Sequence, residues 1–358
     1  MTFSTRKAAV GGLALLGTVA MLAGCSSAPS SNASSGSGSK FLPCMVSDSG
    51  GFDDKSFNQL GYEGLKDAAS DIGSKYKAVE SKDSTVYDSN ISQLVNQNCN
   101  LIVTVGFNLA AATKKQAAAN PDTDFAIIDD NSINAKNVKP ITFDTSQAAF
   151  LAGYAAASYS KTGVVGTFGG MQIPTVTIFM DGFADGVAYY NEKKSKDVKV
   201  VGWDEKAQKG TFVGAFEAGT QAKASAQTLI QQNADVIFPV GGPIYQSAAE
   251  AIKDANNGSV MIGADSDLYE ADPRYKDLAL TSVEKGMRPA TKDVVEQASK
   301  GNFSKTPYVG TLKNEGVSIA PFHDYASKVD SGLQGELDTI KAGIIDGSIT
   351  VDTKATVK

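Results

Sequence analysis

Leu101-Ile-Val-Thr-Val-Gly106 is an uninterrupted apolar run that stops on a glycine, and an Ala-rich stretch over 110–120 follows it and ends before Pro121. A run without polar alternation is what a strand buried on both faces requires. A helix ends ahead of proline because the ring disfavours the α conformation in the residue before it. A fully covered strand followed by a helix is one βα unit, and the same unit recurs on either side. Upstream, the pattern predicts strands over 41–46 and 76–80 and helices over 56–72 and 89–98. In the first helix Phe57, Leu60, Tyr62, Leu65 and Ala68 or Ala69 fall near helical spacing. Downstream, strands are expected over 125–129 and 138–143. Short apolar runs alternating with amphipathic stretches indicate an α/β fold with parallel sheets.

The pattern restarts near 143–146 with an Ala-rich, close-packing helix over 145–159. Strands are then expected over 162–168, 198–203, 235–240 and 260–263, and helices over 176–190, 219–232 and 243–255. A strand over 278–283, a helix over 287–300, a strand over 308–312 and an amphipathic helix over 333–344 close the chain. The body is too long for one small core. The expected organisation is a first lobe over 40–145, a second over 146–282, a return to the first over 283–314, and over 315–358 a hinge crossing with a C-terminal helix on the second.

The N-terminus bears on compartment. Arg6 and Lys7 precede an uncharged run to Gly24, and Leu22-Ala-Gly-Cys25 follows the layout of a secretory signal with a small-residue cleavage site. The order resembles a bacterial lipobox, which implies a signal peptide over 1–24, lipidation of Cys25 and a membrane anchor. The Ser/Gly-rich stretch over 25–39 has nothing to bury and is expected to stay disordered, a tether with a reach of about 20 Å. Removing Arg6 and Lys7 takes the net charge from −6 to −8. An acidic body without a basic stripe argues against nucleic acid as a partner and leaves membrane attachment to the lipid. Of the three cysteines, Cys44 and Cys99 each sit beside an apolar run, and a disulfide and two buried thiols are both open.

Enzyme motifs are missing. His323 is the only histidine, in a loop-like Pro-Phe-His-Asp setting, so a His-based triad would rest on it alone. There is no phosphate-binding Gly-x-x-x-x-Gly-Lys loop, no zinc spacing, and the glycines over 163–169 are wrongly spaced for a dinucleotide fingerprint. No cofactor or metal is expected. What recurs instead lies at strand C-terminal ends, the edge at which open α/β sheets bind ligands. Asp48, Asp129, Asp130 and Asp265 follow strands, and Gly106, Gly169-Gly170 and Gly241-Gly242 end three others. Such carboxylates suit ribose hydroxyls or base N–H groups. Phe57 with Asn58 at a helix entrance, and Phe179, Phe212 and Phe216 further on, offer an aromatic from each lobe to sandwich a flat base.

Val46-Ser-Asp-Ser-Gly-Gly-Phe-Asp-Asp-Lys-Ser-Phe-Asn58 resembles the opening signature of the basic membrane protein family, bacterial nucleoside-binding lipoproteins of ABC importers. The stretch over 169–183, Ile262-Gly-Ala-Asp-Ser-Asp267 and Thr281-Ser-Val-Glu-Lys285 resemble later signatures in order. The resemblance implies the type I periplasmic binding-protein fold, two doubly wound parallel-sheet lobes joined by a multi-strand hinge. It implies a monomer that binds a nucleoside, a purine one by preference, and hands it to a separate permease. By the same resemblance Asp48 and Asn58 contact the ligand and Phe57 stacks on the base. Asp129 holds base or sugar, and Phe216 stacks from the second lobe, with Phe212 or Phe179 as substitutes. Gly242, with Gly241 beside it, offers backbone, Asp265 binds ribose hydroxyls and Lys285 reaches in from a hinge strand. A sensory or adhesive lipoprotein and a metal-dependent nucleoside hydrolase on the same lobes are the competing readings.

Overall fold

A computed structural model describes residues 40–355. The Cys25 lipidation site, the signal and the tether lie outside the described residues.

In chain order the first series is β1 (Pro43–Val46), α1 (Phe57–Asp71), β2 (Lys77–Val79), α2 (Tyr87–Asn96), β3 (Leu101–Val105), α3 (Ala110–Ala119), β4 (Asp124–Ile128) and β5 (Val138–Phe143). The second is α4 (Thr145–Tyr159), β6 (Val164–Gly169), α5 (Pro174–Lys194), β7 (Lys199–Val201), β8 (Trp203–Asp204), β9 (Lys209–Gly210), α6 (Thr220–Gln231), β10 (Val236–Val240), α7 (Ile244–Ala255), β11 (Val260–Asp265), α8 (Leu268–Ala271) and β12 (Ala279–Lys285). Then come α9 (Met287–Ser299), β13 (Tyr308–Gly310), β14 (Val317–Ile319) and α10 (Leu333–Asp346).

The strands build two six-stranded sheets, ordered β13-β5-β4-β3-β1-β2 and β14-β12-β11-β10-β6-β7. All pairings in the first are parallel, and in the second only β12–β14 is antiparallel. The strand order reverses beside the first strand of each sheet, between β1 and β3 and between β6 and β10. Both are therefore doubly wound in the same sense.

Alternation along fully buried strands feeds a core on each face. In the first sheet Met45, Val103 and Ile128 meet α1 residues such as Leu65, while Val46, Ile102 and Ile127 meet Ile91 and Leu94 of α2. In the second, Val236, Phe238 and Ile262 join the core with α4 and α5, and Ile237 and Met261 join Ala226 and Ala248 of α6 and α7. Helices α4 and α5 approach backbone to backbone: a Cβ on Gly153 would lie 2.1 Å from the Phe183 carbonyl. Cys44 and Cys99 are disulfide-bonded, with Cα atoms 6.0 Å apart, joining β1 to the turn before β3.

The chain passes from one sheet to the other after β5, returns after β12 and passes again before β14. The sequence reading missed β14 and β9, the second strand of the two-stranded β8–β9 ribbon, and it ran β7 and the start of β8 together as one strand over 198–203. Both missed strands pair over only two or three residues, too short for a period to register.

Candidate functional site

The two switch points face a common cavity, the place where open α/β sheets bind ligands. From the first sheet's edge come Asp48 after β1, Gly106 after β3 and Asp129 after β4, with Phe57 and Asn58 from the start of α1. From the second come Gly241 and Gly242 after β10, Asp265 ending β11, Lys285 ending β12, and Phe179 and Phe216.

The entrance to α1 is built by carboxylates. Asp54 accepts from the backbone amides of Ser56, Asn58 and Gln59 at 3.0, 2.8 and 3.0 Å, filling the orphan donors of the first turn. Asn58 donates through Nδ2 to Asp48 Oδ1 (2.7 Å) and Asp54 Oδ2 (3.0 Å), and its Oδ1 accepts from the Asp48 amide (3.1 Å). Both amide hydrogens are thus committed, and Asn58 holds Asp48 in orientation. Burial pushes the Asp48 carboxyl up to about 6, against the hydrogen bonds from Gly50 and Asn58.

At the far end of the cavity Lys285 Nζ lies between Asp129 Oδ2 and Asp265 Oδ1, the latter 3.4 Å away. It also lies 5.0 Å from the Phe57 ring centre and 5.2 Å from that of Phe179, within cation–π range. Burial works against the ammonium, but the two carboxylates outweigh it and raise its pKa. Asp129 and Asp265 both have left-handed backbones, φ 63° and 70°, a conformation Asp tolerates better than most residues. Asp265 Oδ1 is buried and makes no hydrogen bond among the described residues beyond its ion-pair contact with the Lys285 ammonium.

Phe216 stands on a glycine floor. A Cβ on Gly170 would lie 2.4 Å from its Cδ1, and one on Gly241, whose φ is 132°, would lie 2.7 Å from the same atom. Phe212 does not line the cavity. It pairs with Gly169 and meets Trp203 edge-on at 5.9 Å. Asp130 turns away to Ser132. His323 lies outside the cavity lining, stacked on Tyr269 at 4.1 Å with its Nε2 2.7 Å from Asp267.

Two cross-sheet hydrogen bonds close one edge of the cavity. Ser56 Oγ donates to the Ala264 carbonyl (3.2 Å) and Ser266 Oγ to the Lys55 carbonyl (3.0 Å). The sequence reading had not singled out Asp54, Phe107, Asn108, Ile173 or Thr175, which also line the cavity. Phe107 and Asn108 directly follow Gly106, and Ile173 and Thr175 lie at the entrance to the helix after β6, so the strand-end rule that selected Asp48 reaches them too. Among the described residues no cluster of His, Cys, Asp and Glu is placed to hold a metal ion, and no helix is long and apolar enough to cross a membrane.

Comparison with known proteins agrees with this architecture. A solved ABC transporter solute-binding protein from Aeropyrum pernix superposes with a TM-score of 0.77 at 24% identity, over 88% of this chain and 94% of its own. One from Conexibacter woesei gives 0.68 at 21%, over 87% and 99%. The fold is the type I periplasmic binding-protein fold. The ABC transporter nucleoside-binding protein BmpA of Lactococcus lactis is 29% identical over 98% of this chain and 99% of its own length. Basic membrane protein A of Borreliella burgdorferi is 29% identical over 84% and 85%. A family model described as "ABC transporter substrate-binding protein PnrA-like" matches residues 41–345. With that match spanning nearly all the described residues, this chain belongs to the Bmp family of ABC transporter substrate-binding proteins.

Proposed function

We propose that the chain is a nucleoside receptor, selective for purine nucleosides, that closes its two lobes on the ligand and presents it to a separate permease. The observation that carries this reading is that Phe57, from the start of α1, and Phe216, from the second sheet's side, line one cavity together with Asp48, Asp129, Asp265 and Lys285. Two rings from opposite sheets suit a flat base between them. The carboxylates accept from hydroxyl and N–H donors, and Asp265 Oδ1 keeps accepting capacity beside its ion pair with Lys285. Closure by hinge motion follows the repertoire of two-lobed binding proteins. The nucleoside-binding name of the Lactococcus lactis relative supports the ligand class. The chain acts as a monomer, anchored outside the cell through a lipid on Cys25, and it performs no catalytic step.

The test is a thermal shift of the body from Lys40 against adenosine, guanosine, inosine, uridine, cytidine, adenine and ribose. A ligand at a hundred times its dissociation constant adds about 2.7 kcal/mol of stability, several degrees of melting temperature. Shifts with purine nucleosides that vanish in Phe57→Ala and Asp265→Ala support the reading. A shift with ribose alone overturns the stacking, and no shift with any compound overturns the ligand class. Release of the full-length protein from cells by Cys25→Ala tests the anchor.

A further inference from the structure

The chain beyond α10 folds back onto the second sheet's helices. Gly347 takes a left-handed φ of 82° and the Ile349 amide donates to the Gly343 carbonyl at 2.9 Å. Ile349 and Val351 then pack against the core, and Ala355 is buried in it. These residues lie beyond the 41–345 stretch that the family model matches.

Their polar contacts converge on Asp181 in the middle of α5, which is 0% exposed. Asp181 Oδ2 accepts from Thr353 Oγ1 (2.8 Å) and the Lys354 amide (3.2 Å). Its Oδ1 accepts from Trp203 Nε1 and Gln208 Nε2, both at 3.0 Å. The Asp352 amide donates to Asp185 Oδ2 (2.6 Å), and Lys354 Nζ donates to the Lys206 carbonyl (2.6 Å). One buried carboxylate thus joins the tail to both ends of the β8–β9 ribbon. The ribbon continues into the cavity wall. The Gly169 amide donates to the Thr211 carbonyl (3.0 Å), and the Val213 and Gly214 amides donate to the Gly169 and Gly170 carbonyls (2.9 and 2.7 Å). Phe216 stands two residues further on.

We propose that residues 351–355 are a positioning strap for the ligand site: through Asp181 they hold the β8–β9 ribbon, and the ribbon sets where Phe216 stands. Without the tail's donors Asp181 Oδ2 is left buried and unpaired, which a carboxylate relieves only by moving or by drawing in water. Either outcome loosens the Trp203 and Gln208 contacts. The inference rests on Phe216 being a ligand contact, but the mechanical link has its own reporter, since Trp203 is the only tryptophan in the chain.

The test uses the full chain carrying Thr353→Val and Lys354→Pro, which remove the hydroxyl and the backbone N–H that Asp181 Oδ2 accepts from, with Arg288→Ala as a control that cuts ion pairs to Glu63 and Asp67 on the first sheet's helices. Trp203 emission should shift to the red, and amide exchange over 211–219 should speed up while exchange in β1 and β3 stays unchanged. Affinity for inosine should fall roughly tenfold, the scale of a lost buried hydrogen bond, and the control should change none of these. Thr353→Val alone gives the same changes at smaller size should the double variant be unstable. Unchanged emission and exchange overturn the strap, and so does a red shift with unchanged affinity. If the unmodified protein binds no nucleoside, the ligand reading fails by itself, and emission and exchange still decide whether the tail holds the ribbon.

Discussion

Lys285 Nζ, at the end of β12 in the second sheet, lies 2.5 Å from Asp129 Oδ2 at the end of β4 in the first. Both side chains are buried, so neither charge has water to turn to if the other is removed. Lys285→Met should therefore cost about 3–5 kcal/mol, read as a lower urea midpoint. Adding Asp129→Asn should recover part of that loss, because the double variant no longer buries the Asp129 charge. Equal destabilisation by the single and double variants would show that the pair is not coupled.

The glycine floor under Phe216 makes a second prediction. Gly170→Ala puts a methyl group where the ring now lies and should displace it without disturbing β6. Base–aromatic stacking is worth about 1–3 kcal/mol. Gly170→Ala and Phe216→Ala should therefore weaken nucleoside binding to a similar extent, roughly tenfold to a hundredfold, in calorimetric titration. Wild-type affinity in Gly170→Ala would place the ring outside the contact surface.

Asp48 sets a pH dependence. Its folded pKa is raised to about 6 by burial, so the free protein carries the carboxylate above that pH and the acid below it. A ligand N–H or O–H bonds the carboxylate, so binding at lower pH must first expel the proton. Affinity should be flat above pH 6 and fall by up to about tenfold per unit below it. Asp48→Asn should remove the slope. For stability of the free protein the sign is opposite: a raised carboxyl pKa favours the fold at low pH, and that contribution is lost as pH rises from about 4 to about 6. Titrations from pH 5 to 8 and urea midpoints over pH 4 to 7 separate the two effects.

The Cys44–Cys99 bridge closes a loop with a sequence separation of 55. The chain-entropy model puts its contribution near 4 kcal/mol. Cys44→Ala/Cys99→Ala should lower the urea midpoint accordingly, and a reductant should lower the wild-type midpoint while leaving the variant unmoved.

The fold was legible because its strands are covered on both faces: 101–105 and 236–240 read as continuous apolar runs, and a glycine or a glycine pair marks where each stops. The strand-end rule reaches Asp48, Asp129 and Asp265 from the sequence, and the structure gathers them around one cavity. Other features depend on tertiary contact and leave no local trace. Phe212 and Phe216 sit four residues apart in one loop, yet only Phe216 lines the cavity, because Trp203 and Gly169 engage Phe212. Asn58 faces two carboxylates that no spacing rule pairs with it. The cysteine pairing stayed open because sequence separation does not place two Cα atoms 6.0 Å apart.

Lys285 is also the last residue before the chain leaves the second sheet for α9. Its ammonium sits 5.0 Å from the Phe57 ring centre, so a group resting on that ring is already beside the point where the chain crosses between the sheets. Contact with the ring and contact with the connector are then made by one small moiety, not by opposite ends of a long molecule.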